Sequence, residues 1–516
     1  MKDAPAPADR YPGPRTKRQR TMTTSIRERL DAMRAFYAEG HTREPAFRKE
    51  YLPKPREPVK AHEQEIAEAL YADLHKSAEE SYISETAIVL AEIRDQLRHL
   101  ERRARSRRVP TPLFLLPSAS RIIREPQGVV LVMAPWNYPF QLALDPLVGA
   151  LAAGNCVALK PSTTSARTCR LIGNILGEIF PPDYVSVFDG DHAQTAELLE
   201  YRFDHIFFTG GAAFGRTVME KAAAHLTPVT LELGGKSPCV VDRTADLDTA
   251  ARKIAWGKLL NAGQTCIAPD YLLVHRDVKE ELLEKFRRYA MHFYGGDFRR
   301  SAAYPRIISD RAFTRLQSYI DTAERIVWGG EYDASERFIA PTLIDSPDPG
   351  SPLMQEEIFG PILPVMTFDD TESAADFINA REKPLALYYF GRKADGLRLI
   401  GRTASGGACI NDTIIHIANP RLPFGGTGDS GMGRYHGRFS FDTFSNLRAV
   451  AVSRRRTPDV PGITAGNGPE SDSTGHNKGT ERPLRSRNGG LSDTGPPGTS
   501  TRRHGQVWNS CSNTDT

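Results

Sequence analysis

The order of apolar segments predicts an α/β protein: a helical start, a Rossmann-like parallel sheet, a second α/β unit and a small extra β element. Three observations carry this. First, short β-like runs at Val129–Met133, Cys156–Leu159, Val185–Phe188, His205–Phe208 and Val229–Leu233 alternate with helical stretches, as in right-handed βαβ units. Second, a similar series follows Gly235, with strands at Pro238–Val241, Tyr271–Val274, Ile362–Phe368 and Leu385–Phe390 and helices at Lys279–His292 and Ser373–Ala380. Third, Ile122–Ile123 and Phe441–Val452 are β-like yet belong to neither series, which suits edge or bridging strands.

The helical start is read from apolar residues at helical spacing in Ser25–Tyr37, Ala61–Leu74 and Tyr82–Leu100. Pro53, Pro55 and Pro58 fall where a helix would otherwise run from Arg48 into Ala61, and an interior proline costs a helix about 3 kcal/mol, so the helix must break there. Residues 1–23 are Pro-rich and basic without periodicity, and Met22 is a candidate start. Residues 453–516 are dominated by Gly, Ser, Thr, Pro, Asn and Arg. Neither end holds enough apolar surface to offset ordering entropy, so both are expected to be disordered.

At 516 residues the chain predicts two or three domains. A net charge of +4, from 67 basic and 63 acidic residues, is too balanced to indicate a nucleic-acid partner. The six cysteines form no CxxC pair and no disulfide framework, which argues against zinc or any other metal site and for a reducing, cytoplasmic compartment. No apolar run approaches the ~20 residues of a membrane span. The terminal Cys511-Ser-Asn-Thr-Asp-Thr516 is no prenylation signal, so no membrane attachment is expected.

Five segments can carry chemistry. Met133-Ala-Pro-Trp-Asn-Tyr-Pro139 sets Asn137 on a turn at the carboxyl end of a buried strand, where an amide can donate to a developing oxyanion; the plainer reading is a turn Asn bonding its own backbone. Gly154–Ser162 ends a strand on Lys160, suited to ribose hydroxyls or phosphate, or else solvated. Phe207–Gly215 is a strand, the Gly210-Gly211 turn and a helix start, whose amides and dipole favour a pyrophosphate, although it is not GxGxxG and could be only a tight turn. Glu232 lies between two leucines at a strand end, where desolvation raises a carboxyl toward a useful base; a strand-edge ion pair is the alternative. Cys266, in Asn261-Ala-Gly-Gln-Thr-Cys-Ile267, reads in isolation as a buried inert thiol.

In this order and spacing the five segments resemble the aldehyde dehydrogenase superfamily over about residues 25–452. Ile410–Thr413, Leu422–Gly426, Gly431–Gly437 and Ser440–Phe444 resemble its class 3 branch, which implies medium- to long-chain or aromatic aldehyde substrates and a homodimer, with Phe441–Val452 as the oligomerisation strand. The resemblance implies that Cys266 is the nucleophile, that Asn137 and the Cys266 amide hold the oxyanion, and that Glu232 activates the water that hydrolyses the thioester. Trp136, Lys160, Ser162, Thr163, Gly210, Gly211, Gly215, Glu357 and Phe359 would bind NAD or NADP, although Gln355–Pro361 by itself also reads as a helix cap and turn. Thr163 stands where many NAD-preferring relatives carry a glutamate that repels a 2′-phosphate, so use of both coenzymes is expected. The implied domains are 24–105 with 128–233 for the dinucleotide, 234–423 for catalysis, and 106–127 with 424–452 as the bridging segment. Two rival functions share these residues: a cofactor-free thiol hydrolase and a non-catalytic protein of the same fold.

Overall fold

A computed structural model gives the fold and describes residues 25–453. The extension predicted over 1–23, nearly all of the tail predicted over 453–516, and Cys511 lie outside the described residues. The chain opens on helix Ile26–Ala38, started by a capping box in which Ser25 Oγ accepts from the Glu28 amide at 3.2 Å and Glu28 Oε2 accepts from the Ser25 amide at 2.9 Å. The proline-rich stretch breaks the helix as its chemistry demands. Helix Pro45–Tyr51 ends before Pro53, Pro55 is the N-cap of helix Arg56–Ala61, and Pro58 falls in its first turn, where an amide has no partner within the helix. The prolines thus start a helix rather than disrupt one.

The helix predicted from Tyr82 differs in one informative way. A short helix, Ala78–Ser81, passes through a π-helical turn at Tyr82–Thr86 into helix Ala87–Ala104. Such turns are uncommon and re-aim side chains. Here Glu80 and Glu85 are both buried.

That sheet has six strands in the order Gly431–Met432, Val229–Glu232, His205–Thr209, Val129–Met133, Cys156–Lys160, Val185–Val187. All but the first are parallel. Every residue of Val129–Met133, Cys156–Lys160 and His205–Thr209 is buried, which is why these runs are continuously apolar rather than alternating. The chain builds outward from Val129–Met133 on one side and then returns to its other side at His205–Thr209. The crevice at the carboxyl ends of those two strands is therefore a topological switch point, where ligands of such sheets bind.

The second sheet has seven strands in the order Ile326–Trp328, Thr342–Asp345, Ile362–Phe368, Tyr271–His275, Pro238–Val241, Ala386–Phe390, Gly407–Ile410, parallel except at Ile326–Trp328. The loops carrying Cys266 and Glu357 precede strands Tyr271–His275 and Ile362–Phe368, so this sheet faces the site with the amino ends of its strands. A third sheet joins Arg107–Val109, Ala119–Pro126 and Ser445–Val452, all antiparallel.

The β-like reading of Phe441–Val452 needs a correction at its start. Residues Arg438–Thr443 form a helix, and the strand begins at Ser445. The reason is tertiary: Ser440 packs so closely on helix Gln141–Ala153 that a Cβ on Gly149 would lie 2.6 Å from its own. A contact with a residue nearly 300 positions away overrides local β preference.

Candidate active site

The thiol sits on a loop held by strained backbone. Helix Leu247–Leu259 runs into Asn261, Ala262 and Gly263, with φ of 51°, 50° and 75°, and two non-glycine residues in the left-handed region persist only when their surroundings impose them. Gln264 is the main clamp. Its Nε2 donates to the carbonyls of Asn261 and Arg306, each at 3.0 Å, and its Oε1 accepts from the Ile308 amide at 3.0 Å. Two residues on, Cys266 emerges on a turn closed by Ala268 N–H to Thr265 O at 2.9 Å.

Asn137 is tied to this loop, not to its own turn. Its Nδ2 donates to Gln264 O at 3.0 Å, and its carbonyl accepts from Asn261 Nδ2 at 2.8 Å and Lys76 Nζ at 3.2 Å. The Tyr138 and Thr265 hydroxyls add a 2.6 Å bond between the same two segments. The π-helical turn completes the frame. Glu80 Oε1 accepts from the Asn261 amide at 2.7 Å, and Glu85 bridges Lys76 Nζ at 2.6 Å to the Phe140 and Gln141 amides at the start of helix Gln141–Ala153. Burial pushes the Glu80 carboxyl up to about 7. Nothing in the local sequence pattern around Lys76, Glu80, Tyr138 or Gln264 signalled these roles, because every partner is distant in the chain.

Cys266 is partly accessible, while Cys156, Cys169, Cys239 and Cys409 are buried; all five are free thiols. Desolvation, with the Glu357 and Glu232 carboxylates next, raises the Cys266 thiol above its usual range; the Cys266 and Ile267 amides facing the sulfur act in the opposite direction. Cys266 and Glu232 line one cavity whose other walls include Ile83, Leu142, Trp256 and Phe424. Glu232 is 2% exposed and neither carboxylate oxygen has a hydrogen-bond partner among the described residues. Desolvation raises its carboxyl well above the ordinary range, opposed only by Arg434. Glycine shapes this corner, since a Cβ at Gly425 would lie 2.7 Å from Glu232 Oε1. The strand-edge ion pair considered for Glu232 is absent from the described residues.

The predicted coenzyme residues gather along the switch-point crevice. Lys160 is not a solvated lysine: it is 5% exposed, with Nζ donating to Pro161 O at 2.9 Å. Thr163 is half-buried beside Ser162, whose Oγ accepts from the Thr164 amide at 3.3 Å. Gly211 caps helix Ala212–Ala223 without any side-chain cap, and nothing lies within 4 Å of where its Cβ would be. Gly210 and Gly215 are needed for close packing instead, against Phe208 at 2.5 Å and Leu233 at 2.8 Å from their missing Cβ atoms. Glu357 arrives on the far side, with Oε1 buried and unpartnered and burial pushing its carboxyl up to about 8. A Cβ at Gly234 would come within 2.1 Å of that carboxylate. Phe359, with φ of 51°, meets the Trp136 ring edge-to-face at 5.3 Å. An uncapped helix start, a buried cation and a carboxylate with one unpartnered oxygen fit the pyrophosphate, ribose and ring of a nicotinamide dinucleotide. Lys258, unremarked in the sequence, is buried without a hydrogen-bond partner in the same region, its ammonium pushed down to about 8 by desolvation.

Residues 15–450 match the model of the aldehyde dehydrogenase family. The chain belongs to that family. Aldehyde dehydrogenase family 3 member A2 of Mus musculus is 46% identical over 417 residues, 81% of this chain and 86% of the relative. The dimeric NADP-preferring aldehyde dehydrogenase of Rattus norvegicus is 45% identical over 430 residues, covering 83% and 95%. Among solved structures, the substrate-bound state of Staphylococcus aureus AldH superposes with a TM-score of 0.83 at 43% identity, covering 84% of this chain and 96% of that one. The class 3 resemblance therefore holds over nearly all of the relatives' length. Family membership makes this an enzyme that oxidises aldehydes with NAD or NADP. No helix among the described residues is long and apolar enough to cross a membrane, and no cluster of metal-ligating side chains occurs among them.

Proposed function

We propose that the enzyme converts medium- to long-chain or aromatic aldehydes to carboxylates through a covalent intermediate on Cys266, with Asn137 and Glu232 as its partners. The observation that carries this reading is that the one partly accessible cysteine among the described residues shares an apolar cavity with a carboxylate that has no hydrogen-bond partner. The cavity admits an alkyl or aryl chain, because its walls are mostly aliphatic and aromatic.

In this mechanism the Cys266 thiolate attacks the carbonyl carbon to form a thiohemiacetal. The Asn137 amide and the Cys266 backbone N–H face the developing oxyanion; the frame through Gln264 and Lys76 keeps Asn137 from turning away. A bound nicotinamide dinucleotide would supply the hydride acceptor for the redox step. Glu232 then takes a proton from the water that hydrolyses the thioester, a task for which an unpaired, desolvated carboxylate is suited. Lys160, Gly210, Gly211, Trp136, Ser162, Thr163, Glu357 and Phe359 hold the dinucleotide, with Gly215 setting the spacing of the helix that faces the pyrophosphate. Thr163 carries no charge to repel a 2′-phosphate, which supports use of both NAD and NADP. We further infer a homodimer and, from five free cysteines, a cytoplasmic setting.

A cofactor-free thiol hydrolase would leave the Lys160 and Glu357 crevice without a purpose. The test is single-turnover kinetics on two variants. Cys266→Ala abolishes both NAD(P)H formation and the trapped thioester, a loss of at least about 1000-fold; Glu232→Gln retains a first-turnover burst and accumulates thioester. Near-normal NAD(P)H production by Cys266→Ala would overturn the reading.

A further inference from the structure

Three segments that carry the proposed chemistry meet at one buried ion pair. Lys236 lies four residues after Glu232, on the link between strands Val229–Glu232 and Pro238–Val241. Asp270 lies four residues after Cys266 and immediately before strand Tyr271–His275. Lys236 Nζ donates to Asp270 Oδ2 at 2.6 Å, and the two side chains are 8% and 5% exposed. The backbone joins the same segments, since the Asp270 amide donates to Ser237 O at 2.8 Å.

Both side chains direct their other hydrogen bonds to the loop that carries Glu357. Lys236 Nζ donates to Leu353 O at 2.6 Å and to Glu356 O at 2.9 Å, and Asp270 Oδ1 accepts from the Ile358 amide at 3.0 Å. The main chain is therefore held immediately before and immediately after Glu357. Arg315, on helix Asp310–Asp321, adds bonds to Glu357 O at 3.2 Å and Ile358 O at 2.7 Å. That helix carries none of the proposed catalytic groups, whereas the ion pair ties the loop to the segments of the nucleophile and the base. A buried ion pair is weak evidence of stability on its own. Here, however, three backbone groups of an irregular loop need partners, and apolar side chains offer none.

We propose that Lys236 and Asp270 are positioning residues that set where Glu357 stands relative to Cys266 and Glu232, and so govern how a dinucleotide is seated for hydride transfer. This rests on Glu357 being a ligand of the nicotinamide ribose. The thiol does not depend on the pair, because its loop has a separate frame through Gln264, Asn137 and Glu80.

The test uses the full chain carrying Lys236→Met. Should that variant not fold, Lys236→Met/Asp270→Asn takes its place, since it strands no charge and keeps an oxygen for the Ile358 amide. NAD affinity, measured by calorimetry without aldehyde, weakens about tenfold, and single-turnover hydride transfer slows about tenfold or more. Alkylation of Cys266 by iodoacetamide without coenzyme stays within about twofold of the parent rate. In a Glu357→Gln background the same substitution adds no further loss of affinity. NAD affinity within about twofold of the parent overturns the proposal. Equal losses of affinity and alkylation also overturn it, because they mark general loosening, as does an undiminished loss in the Glu357→Gln background, which places the effect of Lys236 elsewhere. Glu357→Gln alone tests the underlying reading: parent-like NAD affinity removes the ribose role and the proposal with it, whereas weakened affinity there with a parent-like Lys236→Met removes the proposal alone.

Discussion

At the scale of single residues, the proposed nucleophile Cys266 and the proposed base Glu232 share one physical circumstance: desolvation is the largest influence on each and raises both. Burial thus holds both above their usual ranges, and the proposed roles need both deprotonated. Raising pH therefore populates the reactive forms, and kcat/KM for aldehyde should climb as pH rises above neutrality; a flat profile would contradict this. The coenzyme preference follows from a residue that is absent. A carboxylate placed at Thr163 would oppose a 2′-phosphate by about 4 kcal/mol at ~4 Å and an effective dielectric of ~20, before solvent screening. Thr163→Glu should thus shift the NAD-to-NADP efficiency ratio toward NAD by about tenfold or more, measured by initial rates with each coenzyme. Cys266, Glu232 and Asn137 were legible as candidates only through the resemblance of the segments around them, since alone Cys266 read as an inert thiol and Asn137 as a turn residue. Their environments were not. Only the structure distinguishes Asn137 bonded to Gln264 from an Asn bonded to its own turn, or a paired Glu232 from an orphaned one.

At the scale of elements, strands and long helices were legible because parallel strands buried on both faces are continuous apolar runs, and amphipathic helices repeat at their own period. What escaped was set by distant contacts. The π-helical turn at Tyr82–Thr86 leaves no mark in periodicity, since its cause is the pairing of Glu85 with Lys76 and with the start of helix Gln141–Ala153. Helix Arg438–Thr443 was hidden similarly behind a β-like composition. The Lys76–Glu85 pair is fully buried, so removing one partner strands the other charge. Lys76→Met should destabilise the protein by about 3–5 kcal/mol, read from denaturant or thermal unfolding, and should loosen the Asn137 turn that the same ammonium holds. The opposite sign is expected at Asp145. Its folded-state carboxyl is raised, so folding opposes its ionisation: nothing is lost at acid pH, where both states are protonated, and stability falls as pH rises above the unfolded carboxyl range. Asp145→Asn should therefore raise the Tm at pH 8, with a gain that shrinks toward pH 4.

At the scale of the whole molecule, the three-stranded sheet is the element least explained by the rest of the chain. Ser445–Val452 pairs along its full length with Ala119–Pro126 on one side, and most of its residues are exposed, including Leu447 at 57% and Val452 at 53%. The turn between the other two strands exposes Leu113 and Phe114 at 85% and 84%. Single exposed apolar residues are ordinary, but a strand with an open edge together with apolar side chains is a surface that a partner covers. A second copy of the chain fits that need, since two open strands can pair about a twofold axis. The sequence had marked Phe441–Val452 for this role, and the structure narrows the exposed edge to Ser445–Val452. Light scattering should then report twice the chain mass of 57.2 kDa. Leu447→Asp should shift it toward one chain mass, because an exposed residue that touches no core can carry a charge in the monomer but not at a packed interface. A parent protein that scatters as a monomer would remove the dimer; a Leu447→Asp dimer as tight as the parent would move the interface off this strand.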